Sequence, residues 1–63
     1  MGKPLIDKVA AAEYLGVSVK WIDRKVSERE IPFLKLGGLV RFDQDQLDAY
    51  RAMATQQPKQ RAG

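Results

Sequence analysis

Apolar residues recur at helical spacing in the first half of the chain, give way to two short apolar runs around a glycine pair, and return to helical spacing near the end. Val9, Ala12 and Leu15 follow one another at intervals of three, which predicts a first helix starting at about Lys8. Asp7 stands before it as an N-cap, its carboxylate placed to accept from the orphan amides of the first turn. The alanine run 10–12 adds helix propensity with little side-chain bulk, so another helix can come close. Gly16 ends the stretch and suits a left-handed terminating position, and Ser18 then caps a second helix. Val19, Ile22 and Val26 form a stripe along that helix, which extends to about Glu28, with Lys20, Asp23, Arg24 and Ser27 on the opposite side. Ile31 and Pro32 are expected to close it, since proline disfavours helical geometry in the residue before it and has no amide to donate.

The runs 33–36 and 39–42 flank Gly37 and Gly38, a hairpin pattern because glycines tolerate positive φ. Two registers are open. A two-residue loop pairs Lys35 with Val40, whereas a three-residue loop including Leu39 puts Leu34, Leu36, Val40 and Phe42 on one side and Lys35 with Arg41 on the other. The second separates apolar from basic side chains and is the expected one. Asp43 opens a third helix, with Gln46 completing a capping-box pattern and Asp45 near the positive end of the helix dipole. Leu47, Tyr50 and Ala54 share a face of it, and 56–63 reads as a flexible polar tail. The expected fold class is therefore mainly α with a small β-hairpin: a helix-turn-helix, a hairpin wing and a C-terminal helix in one domain over 1–55.

Composition narrows the chemistry. A chain of 63 residues holds one small core, and with no cysteine neither a disulfide nor a thiolate metal site reinforces it. Histidine is absent too, which removes the commonest general base and zinc ligand. Neither a nucleophile–base pair nor a phosphate loop is present, so the expectation is a protein that is not an enzyme, with no cofactor and no metal. Asp43, Asp45 and Asp48 are explained by capping and an exposed helix face. Eleven Lys and Arg against eight Asp and Glu give a net charge of +3, and a pI near 9.5 is typical of nucleic-acid-binding domains. Lys20, Arg24, Lys25, Arg29, Lys35 and Arg41 are basic, whereas Asp43, Asp45 and Asp48 cluster later, which suggests one basic face and one acidic end. No apolar run approaches the roughly 18 residues of a membrane span and no signal-peptide centre opens the chain, so a cytoplasmic protein is expected.

Helix, tight glycine turn, helix, hairpin and helix together match a helix-turn-helix with a wing, whose second helix can lie in a major groove about 12 Å wide. Glu13-Tyr14-Leu15-Gly16-Val17-Ser18, then Glu30-Ile31-Pro32, Lys35-Leu36-Gly37-Gly38, Val40-Arg41-Phe42 and Leu47-Asp48-Ala49-Tyr50, resembles the phage and prophage excisionase family, which is related in fold to MerR-type DNA-binding domains. The resemblance covers roughly residues 5–53. It implies double-stranded DNA as the partner, with Ser18, Lys20, Trp21, Arg24 and Lys25 as recognition-helix contacts. The wing would contribute Lys35, Gly37, Gly38 and Arg41. It also implies a recombination directionality factor that binds and bends attachment-site DNA, favours excision by an integrase of tyrosine or serine type, and touches neighbouring copies of itself. A prophage transcriptional regulator that binds an operator would need the same surface. The sequence departs from the family pattern at Trp21, where threonine or serine is usual, at Arg29, where glycine is usual, and at Leu39, where arginine or lysine often stands.

Each contact has a plainer alternative. Arg24 can bond a guanine edge or clamp a phosphate, or it can pair with Asp23 or Glu28 on the surface. Lys20 and Lys25 suit phosphates, as flexible point charges, and Lys25 is equally explained as a solvated side chain. Trp21 can stack on a sugar or simply pack. Lys35 and Arg41 can also protect an edge strand from pairing with another chain. Leu39 is either a wing-tip wedge, a protein contact or a partly covered hairpin residue.

Overall fold

The computed structural model describes residues 3–56, and the element order is α1 (Lys8–Leu15), α2 (Val19–Ser27), β1 (Leu34–Leu36), β2 (Leu39–Arg41) and α3 (Gln44–Ala54). Three helices and a two-stranded antiparallel hairpin make the small winged helix-turn-helix that the sequence pattern implies. Apart from Gln56, the polar tail lies outside the described residues.

Local chemistry sets each boundary of the helical pair. The Asp7 carboxylate accepts from the Ala10 amide at 2.9 Å and opens α1. Gly16, at φ 72° and ψ 35°, turns the chain left-handed, so that its own N–H reaches Glu13 O and the Val17 N–H reaches Ala12 O at 2.9 Å. Ser18 Oγ accepts from the Trp21 amide at 3.1 Å and opens α2. Only Gly16, Val17 and Ser18 separate the helices, so α1 and α2 must cross closely, and Ala11 and Ala12 are small enough to allow it.

The core consists of Ala11, Ala12, Ile22, Ile31, Phe42 and Leu47, with Ile6, Leu15, Val26, Phe33, Val40 and others packed around it. Ile22 fills the space beside the alanines and is fully buried. Val9 departs from the expected stripe: it is 57% exposed. With 100° between successive residues, the arc centred on Ala11, Ala12 and Leu15 passes Val9 by. Val19 is exposed as well, so the buried stripe of α2 is Ile22 with Val26.

The second helix ends at Ser27 with Glu28 as its cap, close to the expected limit, but by a different device than Ile31-Pro32. Arg29 adopts φ 58°, its N–H bonds Val26 O at 3.0 Å, and the Glu30 N–H bonds Lys25 O at 2.9 Å. This is the same left-handed closure as at Gly16, here built on a residue whose Cβ makes it cost roughly 1–2 kcal/mol.

The hairpin register corrects the expected one. Leu34 pairs with Arg41, Lys35 with Val40 and Leu36 with Leu39, so the loop is Gly37-Gly38 alone. Directly opposed residues share a face, which places Lys35 beside Val40 and puts Arg41 on the other face with Leu34, Leu36 and Leu39. Packing decides the outcome: Phe42 is buried and Val40 packs on the core, so β2 is anchored by those two, and the tight glycine loop then fixes β1 opposite. Leu36 and Leu39 are left 49% and 56% exposed. At its base the hairpin gains a partner missed in the sequence, because Ile6 and Phe42 exchange both backbone hydrogen bonds, at 2.9 and 2.8 Å.

Gly37 has φ 63° whereas Gly38 does not have positive φ, the combination of a two-residue turn that needs glycine only at its first position. A Cβ at either glycine would meet nothing within 4 Å. Gly37→Ala is therefore expected to destabilise through backbone strain alone, by about 1–2 kcal/mol, while Gly38→Ala changes little. Thermal melts of the two variants measure the difference.

In α3 the Asp43 carboxylate accepts from the Asp45 amide at 2.8 Å, as a cap should. The other half of the expected box is not made: among the described residues Gln46 forms no side-chain hydrogen bond, and it is Gln44 that reaches across to Pro4 O at 3.0 Å. Leu47 is buried and Tyr50 half-buried, but Ala54 is exposed. A bond from Tyr14 Oη to Asp48, 2.5 Å, ties α1 to α3. That carboxylate holds the Tyr14 phenol above its ordinary pKa, with partial desolvation adding to the effect.

Candidate nucleic-acid interface

A cation can grip an external anion only if no carboxylate of its own chain already holds it, and the ion pairs sort the basic residues on that criterion. Lys3 faces Asp45 and Asp48, at 3.6 and 3.9 Å, on the acidic side of α3. Lys8 of α1 reaches Asp23 of α2 at 2.6 Å. Lys25 reaches Glu30 at 3.0 Å and Glu28 at 3.9 Å. Among the described residues, Lys20, Arg24, Arg29, Lys35, Arg41 and Arg51 have no carboxylate within 4.0 Å. Five of those six lie on α2, the turn after it and the wing.

In this structure Arg24 makes neither of the surface pairs that its plainer alternative would use. Asp23 is engaged by Lys8 and Glu28 by Lys25, leaving the Arg24 guanidinium exposed and without an acidic partner among the described residues. Ser18, Lys20, Trp21 and Arg24 line one concavity on the outer side of α2. Four of the five expected recognition-helix residues are thus brought together, and Lys25 is not among them. Ser18 contributes its hydroxyl to the helix cap, so its side chain is already committed.

Lys25 sits apart from that concavity. Its ammonium lies 5.4 Å from the centre of the Trp21 ring, a cation–π contact, while it also bonds Glu30. The Glu30 carboxylate raises the Lys25 pKa, and Lys25 in turn holds the Glu30 carboxyl below its usual range. Half-buried Trp21 packs against the core, as the plainer alternative has it, and it also lines the α2 concavity.

On the wing, Lys35 is exposed and faces a cleft lined also by Val26, Ser27, Arg29, Phe33 and Val40. Arg41 is half-buried on the opposite face and donates to Val40 O at 2.8 Å. Its cleft contains Asp7, Lys8, Val9 and Leu39 instead. The two wing cations therefore address different neighbours, contrary to the expectation that they share a side. Arg29, which the sequence reading did not place among the contacts, lines the same cleft as Lys35. Its sequence signals were a basic charge after the helix and its place where glycine is usual in the resembled family, and neither gives the side chain a direction until the backbone is known.

An exposed amphipathic second helix, a three-residue glycine corner before it and a hairpin after it define a helix-turn-helix protein with a wing. Residues 9–54 match the model of the family described as helix-turn-helix domain, and the chain belongs to that family. No curated protein and no solved structure matches the chain. Family membership points to DNA as the partner. No helix among the described residues is long and apolar enough to cross a membrane.

Proposed function

We propose that this protein is an excisionase: a DNA-binding recombination directionality factor without catalytic activity of its own. It lays α2 in the major groove of attachment-site DNA, rests the wing on the neighbouring backbone or minor groove, bends the duplex and favours prophage excision by an integrase. The observation that carries DNA binding is the outer side of α2, where Lys20 and Arg24 are exposed and the Asp23, Glu28 and Glu30 carboxylates lie against other cations. The excisionase role is supported by the ordered set of short motifs from Glu13 to Tyr50 that resembles that family. One small domain reads few base pairs, so binding beside a second copy or an integrase supplies the remaining specificity.

The test is a gel-shift titration of the protein on candidate attachment-site DNA at several salt concentrations, paired with an excision assay in a strain lacking the gene. Retardation with a steep inverse salt dependence, together with loss of excision, is the expected result. Lys35→Ala should weaken binding about fivefold on all sequences alike and flatten the salt slope by about 1, the signature of one lost phosphate contact. Binding without any excision defect, accompanied by altered transcription from a neighbouring promoter, would replace the excisionase reading with that of an operator-binding regulator.

A further inference from the structure

Among the described residues, Arg29 is the only one other than glycine with positive φ. The closure it makes at the end of α2 uses backbone groups alone, its own N–H to Val26 O and the Glu30 N–H to Lys25 O. Glycine would make both bonds without the steric cost of a Cβ. The arginine side chain is therefore not needed for the turn, and among the described residues no carboxylate lies within 4.0 Å of its charge either. It is exposed, and the adjacent Glu28 and Glu30 both lie within 4.0 Å of Lys25.

Its surroundings give it a use. Arg29 and Lys35 line the same cleft, of about 450 Å³, between the end of α2 and the wing. No acidic residue lines it; the other walls are Val26, Ser27, Phe33 and Val40. The carbonyl end of a helix carries partial negative charge, so an anion arriving there is repelled unless cations outweigh it. Two cations on facing elements do so, and a strained backbone maintained beside such a cleft is the expected mark of a functional side chain.

We infer that this cleft seats a phosphate of the DNA strand that passes between α2 and the wing, with Arg29 and Lys35 as its two contacts. The inference rests on the DNA-binding reading above and adds to it a site and a residue. Arg29 fixes the position of α2 relative to the strand and carries no base specificity.

Arg29→Gly separates this role from a purely structural one, because its two effects have opposite signs. Relief of the left-handed strain should raise the melting temperature by a few degrees. Loss of the phosphate contact should lower affinity roughly fivefold near physiological salt and reduce the slope of log K against log salt by about 1. Arg29→Lys, which keeps both the charge and the strain, should retain a slope close to the parent's. A more stable Arg29→Gly protein whose salt slope is unchanged, or an Arg29→Lys protein as weak as Arg29→Gly, would overturn the inference while leaving the DNA-binding reading intact. Failure of the parent to retard DNA at low salt would instead remove that reading, and this one with it.

Discussion

Arg24→Ala is expected to weaken binding to the preferred site by about ten- to hundredfold, corresponding to roughly 1–3 kcal/mol for a lost bidentate base contact, and to leave the melting temperature where it was. The stability half of that expectation follows from the absence of any Arg24 ion pair or side-chain hydrogen bond among the described residues. The binding half follows from its position beside Lys20 and Trp21 on the outer side of α2, where a planar fork can meet the two acceptors of a guanine edge. Affinity should be measured on the best site and on single-base variants of it. Loss confined to the best site, with variants bound almost as before, identifies Arg24 as a base reader. A uniform loss across all sequences with a flatter salt slope would reassign it to a phosphate, and no loss at all would place the interface elsewhere on the molecule.

Helix starts and the glycine corner were legible because each depends on a few neighbouring residues. Asp7, Ser18 and Asp43 all accept from an amide two or three positions ahead, and Gly16 closes α1 in the left-handed conformation expected of it. What escaped depends on partners distant in sequence. The pairing of Ile6 with Phe42 joins residues whose neighbourhoods say nothing of each other. The hairpin register was misjudged by weighing the hairpin alone: separating Lys35 from the leucines is attractive for an isolated ribbon, but the core claims Val40 and Phe42 and leaves Leu36 and Leu39 outside. The left-handed Arg29 was signalled only by its standing where glycine is usual in the resembled family, since arginine itself has no preference that announces such a residue and Pro32 offered a more conventional stop.

The same division applies to the interface. The basic face of α2 was readable from periodicity alone, but which of its cations are available was not, because availability is decided by the carboxylates that neighbouring segments bring in. Asp23 would weaken the positive face if Lys8 of α1 did not meet it. Lys25 has the right charge and the right helix, yet Glu30 from beyond the helix end and the Trp21 ring hold it. Charge counting therefore treats Lys25 and Arg29 alike, whereas the ion pairs hold Lys25 within the chain and leave Arg29 without a carboxylate within 4.0 Å among the described residues.

Phe42→Ala is expected to cost about 3–5 kcal/mol, the range for truncating a large buried aromatic. At roughly 0.05–0.15 kcal/mol per residue, a domain of this size has only about 3–9 kcal/mol in total, so the variant should be largely unfolded at 37 °C or close to it. Phe42 is the largest side chain that is fully buried, and it stands where the wing, the amino-terminal segment and α3 converge. Its backbone pairing with Ile6 would survive the substitution in principle, but a single two-bond bridge cannot hold a segment whose side-chain anchor is gone. Phe42→Leu, which keeps most of the volume, should cost about 1.5 kcal/mol or less and retain the fold. Circular dichroism melts of the three proteins decide the matter, and a Phe42→Ala protein that melts within a few degrees of the parent would mean that the wing is not held through this residue. DNA binding should fall with the folded fraction in Phe42→Ala. In Arg24→Ala it should fall with no change in that fraction, so the two variants distinguish loss of the scaffold from loss of the contact it presents.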